Sequence, residues 1–118
     1  LKVQPLGGIQ ATEALIQQAE DAGIGVVLSS ALDTSVGLHQ AGLLQARREA
    51  AHPDALDAGL GTGSFLVRDV VVEPLVAQGG HLTLTPLELD SSALSDLTAP
   101  PERRDWWLQR LERCWGLV

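Results

Sequence analysis

The chain contains one lysine, Lys2, and its other seven basic residues are all arginines. An ammonium group can lose its proton when it is desolvated or placed near other charges, whereas a guanidinium stays protonated. Lys2 can therefore act as a general base, or as a compact cation that stabilises an anion formed during a reaction. The alternative is a surface lysine that extends into solvent from the end of a strand.

Polar and glycine residues recur after Lys2 at intervals of about 30 residues, the length of a strand–helix–strand unit. Hydroxyls can donate hydrogen bonds to an anionic ligand, and glycines allow a ligand to approach the backbone. We therefore predict one ligand site where three segments meet. The groups are Lys2 with Gln4, then Ser29 and Ser30 with Asp33, then Gly59, Gly61, Thr62 and Gly63.

Three short strands are expected to position these groups. Residues 1–5 alternate in side-chain direction until Pro5 ends the pattern. Residues 24–30 form an apolar run that is too short for a helix, and residues 58–62 resemble it. Residues 24–30 therefore predict a parallel strand covered on both faces, and residues 58–62 predict a third short strand.

Helices are predicted after the first and second strands. Residues 11–23 carry apolar side chains at helical spacing and end at Gly23, and residues 38–51 do the same with Arg48 on the outer face. Repeated strand–helix units form a parallel sheet, which leaves a doubly wound sheet or a (β/α) barrel. Both architectures bind ligands at the carboxyl ends of their strands.

The remainder of the chain has a different character. Residues 63–71 indicate a short helix or turn, and residues 71–90 favour a hairpin around Gly79 and Gly80. Residues 91–101 are typical of a Ser/Pro-rich linker. The end of the chain predicts an amphipathic helix that docks on other structure through one apolar face, formed by Trp107, Leu108, Leu111 and Trp115.

Several other chemistries are disfavoured by the motifs. The stretch GLGTGS has neither the lysine of a P-loop nor the spacing of G-x-G-x-x-G, and no G-x-S-x-G elbow surrounds the serines. The histidines His39, His52 and His81 have no second metal ligand at a suitable spacing. Cys114 is the only cysteine, which excludes an intrachain disulfide framework.

Composition limits the class of partner. The net charge is −7 and the pI is about 4.7. Nucleic-acid binding requires the opposite, a positively charged surface. No apolar run approaches the ~20 residues that a membrane span requires, and no secretory signal precedes the first strand. We expect a cytoplasmic protein with no nucleic-acid or membrane partner. The chain begins with Leu1 directly in a strand, so we also expect it to be a piece of something longer.

The stretches LKVQPLGGI, VVLSSALDTSVGL and GLGTGSFLVRDVV, in this order and spacing, resemble the o-succinylbenzoate synthases, a family of the enolase superfamily. The resemblance covers residues 1–87, while residues 88–118 resemble the C-terminal arm of the family only loosely. It implies an α/β fold, the C-terminal part of a modified (β/α)8 barrel, to which this chain supplies strands six to eight. An α+β capping domain and the remainder of the barrel would be its partners.

The resemblance also implies an activity. Members of the family use Mg²⁺ to dehydrate 2-succinyl-6-hydroxy-2,4-cyclohexadiene-1-carboxylate in menaquinone biosynthesis, through an enediolate that the metal stabilises. Lys2 matches the sixth-strand lysine, which is thought to stabilise the anion, while a second-strand lysine transfers the proton. The resemblance implies that this carboxylate substrate is bound by Ser29, Ser30, Gly59, Gly61 and Thr62.

The metal-binding carboxylates and the second lysine of the family lie on strands that would precede Leu1. Asp33, Asp69 and Glu73 do not replace them, because they do not fall at the ends of strands three to five. We therefore expect the 118 residues alone to bind no catalytic Mg²⁺ and to be inactive. We also expect them to be aggregation-prone or molten, because three barrel strands leave open sheet edges.

Two alternatives to the synthase remain. One is a different enolase-superfamily enzyme, an N-acylamino acid racemase, a dipeptide epimerase or a cycloisomerase, that uses Lys2 as a base. The other is a non-catalytic fragment or binding module that makes contact through its Trp-rich helix.

Overall fold

Four α-helices and one 3₁₀ helix are joined by long irregular segments in a computed structural model, which describes residues 1–116. The last two residues of the helix predicted at the end of the chain, 117 and 118, lie outside the described residues. The helices are α1 (Ile9–Asp21), α2 (Ser35–Ala51), the 3₁₀ helix (Gly61–Phe65), α3 (Ser91–Asp96) and α4 (Pro101–Trp115).

The three predicted strands do not form as extended strands among residues 1–116, and single backbone bridges take their place. The Leu1 amino group donates to the Val27 carbonyl at 2.7 Å, and the Ser29 N–H donates to the Leu1 carbonyl at 2.8 Å. Ser29 and Gly59 form a parallel bridge. One of the expected parallel pairings is therefore present, between the second and third segments, and the first segment is joined to the second by backbone hydrogen bonds, but the strand lengths were predicted wrongly.

The first segment is short because the chain turns at once. Residues 3–7 form turns, in which the Gly8 N–H donates to the Val3 carbonyl at 2.9 Å. Gly7 and Gly8 have φ values of 94° and 106°, a backbone region that favours glycine. The alternating pattern of residues 1–5 therefore ends after Lys2, rather than at Pro5.

Helix α1 ends where the sequence predicts. The Gly23 N–H donates to the Glu20 carbonyl at 2.9 Å, and the Ile24 N–H donates to the Ala19 carbonyl at 2.8 Å, a Schellman motif with φ 71° at Gly23. Helices α1 and α2 pack together over a small core. Its buried members are Val3, Ile16, Val26, Leu28, Ala41, Leu44 and Leu60.

Arg48 of α2 is buried, against the prediction that it faces outward. Its guanidinium forms an ion pair with Glu20 at 3.1 Å and contacts the Val26 carbonyl oxygen at 3.4 Å. Arginine is suited to this position because its fork of donors can serve a carboxylate and a carbonyl together. Arg48 thereby joins α2 to α1 and to the second segment.

A buried carboxylate ties the start of α2 to the segment after the 3₁₀ helix. Asp69 Oδ2 accepts hydrogen bonds at 2.8 Å from both the N–H and the hydroxyl of Ser35, and the Ser35 hydroxyl accepts one from the Leu75 N–H at 2.8 Å. A Cβ on Gly63 would clash with the Leu75 carbonyl oxygen. The 3₁₀ helix, α2 and residues 69–75 therefore pack closely together.

The hairpin predicted over residues 71–90 is present as two antiparallel bridges. Val71 pairs with Leu89 at its base, and Gln78 pairs with His81 across Gly79 and Gly80, which have φ values of 56° and 83°. Glycine supplies this backbone conformation without strain. The turn was therefore predicted correctly, although its arms are not regular strands.

The predicted linker is partly helical. Asp90 Oδ1 accepts hydrogen bonds from the Ser92 N–H at 2.8 Å and the Ala93 N–H at 3.0 Å, so it caps the first turn of α3. The Ser92 hydroxyl also donates to Asp90 Oδ1, at 2.6 Å. The sequence signal for this helix was the capping pattern of Asp90 rather than hydrophobic spacing.

Helix α3 is expected to lose stability in acid. The Ser92 hydroxyl, and then the Ala93 N–H, lower the pKa of Asp90 from its ordinary value of 3.8. A lowered pKa means that the stabilisation is present above the unfolded-state pKa and is lost as pH falls through the folded-state pKa. Helical ¹³Cα shifts over residues 91–96, followed by NMR from pH 7 down to about pH 2, should decrease in this window.

The variant Asp90→Asn is the matched control, since asparagine caps helices well but does not titrate in this range. Its α3 shifts should stay helical as pH falls, whereas Asp90→Ala should weaken α3 at every pH. An acid response of equal size in Asp90→Asn would show that another group causes it.

Helix α4 covers most of the predicted C-terminal helix, and none of its residues is buried within residues 1–116. Trp106 and Trp107 contact each other edge to face, with ring centroids 4.7 Å apart, and the Arg103 guanidinium lies over both rings. The docking of this helix on other structure stays a prediction. No helix in the described part of the chain is both long and apolar enough to cross a membrane.

Candidate functional site

Lys2 lies where the first and second segments meet. Its ammonium donates a hydrogen bond to the carbonyl oxygen of Ser30, and the side chain is exposed on its other sides. The backbone bonds of Leu1 to Val27 and Ser29 hold this end of the chain beside the second segment. The site therefore begins with a cation that is anchored by a neutral carbonyl.

The second and third segments are joined at the same place. The Ser30 N–H donates to the Gly59 carbonyl at 3.0 Å, and the Gly59 N–H donates to the Leu28 carbonyl at 2.8 Å. The Ser30 hydroxyl also lies 3.2 Å from the Gly59 carbonyl oxygen. Ser30 is buried, at 4% exposure, while Ser29 is half-buried and its hydroxyl lies 3.4 Å from the Leu1 carbonyl oxygen.

Thr62 completes the link, from the first turn of the 3₁₀ helix. Its Oγ1 lies 2.8 Å from Ser30 Oγ and 2.8 Å from the Ala31 carbonyl oxygen. The Thr62 hydroxyl has one proton, which these two acceptors share, while the Ser30 hydroxyl donates to the Gly59 carbonyl. Lys2, Ser30 and Thr62 therefore form one continuous group of polar contacts.

The glycines of the predicted site differ in their surroundings. A Cβ on Gly61 would meet nothing within 4 Å, and one on Gly59 would come 3.5 Å from Ser29 Cβ, an ordinary contact. Both glycines are exposed. The absence of a Cβ leaves space for a ligand at both positions, although the Gly59 N–H and carbonyl are already paired with Leu28 and Ser30.

All six predicted site residues thus lie on the three segments that converge, although their roles in binding and catalysis stay predictions. Two further residues of the predicted site also bond to the neighbouring backbone. Asp33 Oδ2 accepts a hydrogen bond from the Ala31 N–H at 2.9 Å, and the Gln4 side-chain amide donates to the Gly37 carbonyl at 3.0 Å. The sequence placed both residues among the groups of the predicted ligand site, although the resemblance assigned a role to neither.

The buried pair Asp69 and Ser35 was not recognised as a supporting element. The two residues are 34 positions apart, and nothing in the local pattern around either one indicates the other. Ser35 opens α2, which directly follows the loop that carries Ser30 and Asp33. The pair therefore fixes the start of α2, next to the loop that carries Ser30 and Asp33.

The charge around Lys2 is uncompensated by side chains. Within residues 1–116, no carboxylate forms a salt bridge with Lys2, although four other ion pairs are present. An ammonium that is held by a carbonyl keeps its full charge for a ligand. The arrangement is suited to the binding of an anion, or to the stabilisation of one formed in a reaction.

A magnesium site does not fit the residues of this part of the protein. Within the described range, no three His, Cys, Asp or Glu side chains form a cluster that could hold a metal ion. Asp69 is occupied by the two bonds from Ser35, and Asp33 accepts the Ala31 N–H. These carboxylates serve the local fold.

A cavity of about 500 Å³ borders the third segment and is lined in part by Gly59 and Gly61. It runs between α2 and the hairpin and is lined by residues such as Gln45, Gly59, His81 and Leu84. Lys2 does not line it. This cavity is thus separate from the polar group of Lys2, Ser30 and Thr62.

Comparison with known proteins supports the resemblance read from the sequence. No protein-family model matches the chain. All of its residues align with curated proteins named o-succinylbenzoate synthase: it is 45% identical over 120 residues to that of Mycobacterium leprae, 44% over 119 residues to that of Mycobacterium tuberculosis (strain H37Rv), and 44% over 119 residues to that of Mycolicibacterium smegmatis. The predicted resemblance is confirmed.

The chain covers 33%, 34% and 35% of these three relatives, respectively, so it spans about a third of their length. This is consistent with a C-terminal part of an o-succinylbenzoate synthase. The similarity extends over residues 88–118 as well, where the sequence alone indicated only a loose match.

Proposed function

We propose, from this similarity along its whole length, that the chain is the C-terminal part of the barrel domain of an o-succinylbenzoate synthase. The complete enzyme would be a carbon–oxygen lyase that dehydrates 2-succinyl-6-hydroxy-2,4-cyclohexadiene-1-carboxylate to o-succinylbenzoate in menaquinone biosynthesis. The three bridged segments would be the ends of strands six, seven and eight. The parallel bridge between Ser29 and Gly59 supports this assignment, since parallel pairing is what a (β/α) barrel requires.

One observation carries the proposal: the Lys2 ammonium bonds to the Ser30 carbonyl, across 28 positions of sequence. A chance resemblance in sequence would not require these two positions to meet. Their contact brings a free positive charge to the carboxyl ends of the paired segments, which is where barrel enzymes bind their substrates.

Lys2 acts in this proposal as a fixed cation beside the anion that forms when the substrate loses a proton next to its carboxylate. Attachment to a carbonyl restricts the flexible stem of the lysine. The half-buried hydroxyl of Ser29 and the exposed backbone at Gly61 would bind the substrate's succinyl carboxylate, and Gly59, whose N–H is paired with the Leu28 carbonyl, would leave space beside it.

The metal and the second lysine are proposed to come from the part of the enzyme that this chain does not include. Its relatives are about three times as long, which leaves room for the other barrel strands and a capping domain. When bound there, Mg²⁺ would stabilise the enediolate. The residues of this chain would contribute the positive charge of Lys2 and hydrogen bonds to the substrate.

The same assignment divides the chain into two parts. Residues 1–87 would belong to the barrel, and residues 88–118 would form an arm whose helix packs on the barrel or on the capping domain. The exposure of every α4 residue, including Trp107 at 51% and Trp115 at 79%, supports a covered position in the complete enzyme. We place the enzyme in the cytoplasm, with a small carboxylate substrate and no nucleic-acid partner.

The test is an assay of the full-length protein that contains this segment, with Mg²⁺ present. Formation of o-succinylbenzoate, followed by absorbance and mass spectrometry, is the expected result. Racemisation of N-acyl amino acids without any o-succinylbenzoate would replace the synthase by a racemase of the same superfamily. Inactivity toward both substrate classes, in a folded protein, would favour a non-catalytic role.

A further inference from the structure

The peptide between Ser30 and Ala31 is held at both of its polar ends. Its carbonyl oxygen accepts the hydrogen bond of the Lys2 ammonium, and its N–H donates to Asp33 Oδ2 at 2.9 Å. The next carbonyl along the chain, that of Ala31, is 2.8 Å from the Thr62 hydroxyl. Asp33 therefore fixes the peptide that contacts Lys2 directly, and Thr62 fixes the peptide that follows it.

The Thr62 hydroxyl has no proton left to donate to a carboxylate substrate. Its single proton is shared by two acceptors of the protein, the Ala31 carbonyl oxygen and Ser30 Oγ, each 2.8 Å from Thr62 Oγ1. Ser30 itself is buried. Both hydroxyls therefore serve the protein's own backbone rather than a ligand.

Asp33 acts on the same peptide through charge. A carboxylate at the N–H end polarises the peptide and makes its carbonyl oxygen a stronger acceptor. That oxygen is the anchor of Lys2, which has a long stem with many rotamers. The direction in which the ammonium points depends on how firmly this peptide is held.

We propose that Asp33 and Thr62 are positioning residues, which fix the Ser30–Ala31 peptide and through it the ammonium of Lys2. The proposal rests on the proposed function, since it explains how Lys2 is placed for the reaction. It assigns Asp33 a role that the sequence did not predict, and it gives Thr62 a positioning role in place of direct substrate binding.

The experiment uses the full-length protein with the variants Thr62→Val and Asp33→Ala. Asp33→Ala removes the contact to the Ser30–Ala31 peptide, and Thr62→Val removes the contact to the carbonyl that follows it. Each is expected to lower kcat about 10- to 100-fold while KM stays within about threefold, because a displaced catalytic group costs rate rather than substrate binding. Thr62→Ser and Asp33→Asn keep an oxygen at the contact and should recover most of the loss. Failure of one variant to fold leaves the other as the test.

The matched control is Ser64→Ala, which removes a hydroxyl from the same 3₁₀ helix that contacts only the Gly61 carbonyl, at 3.4 Å. It should keep the wild-type kcat. In the Lys2→Arg background, Thr62→Val should have a much smaller effect than in the wild type, because two residues that act through one group are not additive.

A second measurement reports the position of Lys2 without any turnover. Acetylation of Lys2 by acetic anhydride, quantified by mass spectrometry, should be about threefold faster in Thr62→Val and Asp33→Ala than in Ser64→Ala, because a released ammonium is more accessible. Unchanged acetylation and unchanged kcat would overturn the proposal, as would full additivity with Lys2→Arg. A wild-type protein that forms no o-succinylbenzoate would refute the proposed function, and the acetylation rates would still decide the positioning role.

Discussion

Replacement of Lys2 by alanine in the complete enzyme is expected to lower kcat for o-succinylbenzoate formation by about 100- to 1,000-fold. This is the usual loss when a group that stabilises a developing anion is removed. Lys2 is the appropriate target because its ammonium is free of carboxylate partners in the described part of the chain and is anchored to the Ser30 carbonyl. Steady-state kinetics with the dehydration substrate measures the effect.

Lys2→Arg distinguishes two roles of the same residue. An arginine keeps the positive charge but cannot give up a proton, so partial activity is expected if Lys2 acts as a fixed cation. A loss as complete as that of Lys2→Ala would instead assign proton transfer to Lys2. The matched control is Arg47→Ala, which removes an exposed cation on α2 and should leave kcat unchanged. Wild-type activity in Lys2→Ala would exclude Lys2 from the site.

The convergence of the site could be predicted from the sequence because it depends on order and spacing. Repeats of about 30 residues bring the ends of parallel segments to one edge. Lys2, Ser30 and Thr62 accordingly lie within one group of hydrogen bonds. The end of α1 at Gly23 was predictable for a similar reason, since its signal is a single residue that adopts a positive φ.

The extent of the strands could not be predicted in the same way. Pairing along a strand needs neighbours on both sides, and the segments near Leu1 and Gly59 each have one neighbour among residues 1–116. The apolar pattern of residues 24–30 indicates that the segment can form a buried strand. The length of that strand depends on the segments that pair with it. Arg48 and Asp69 were missed because their partners are distant in sequence.

The isolated 118-residue chain is expected to behave as a loosely packed state. Large apolar side chains are open to solvent, with Phe65 at 72% and Leu32 at 69% exposure, and α4 contributes nothing to the core. Exposed apolar surface of this extent favours association, and unpaired backbone at the bridged segments offers edges for it. We expect binding of a hydrophobic dye, weak near-ultraviolet circular dichroism from the tryptophans, and no sharp thermal transition.

A core variant tests whether the isolated chain has specific packing at all. Leu28 is fully buried between α1, α2 and the bridged segments, so in a cooperative fold Leu28→Ala should cost about 2–5 kcal/mol and lower the midpoint of unfolding by many degrees. In a molten chain the same change should barely alter the melting profile, because no fixed cavity is created. A single sharp transition that Leu28→Ala shifts strongly would contradict the expectation. A strong shift seen only in the full-length protein would show that residues outside this chain complete the packing around Leu28 and hold Lys2 and Ser30 in register.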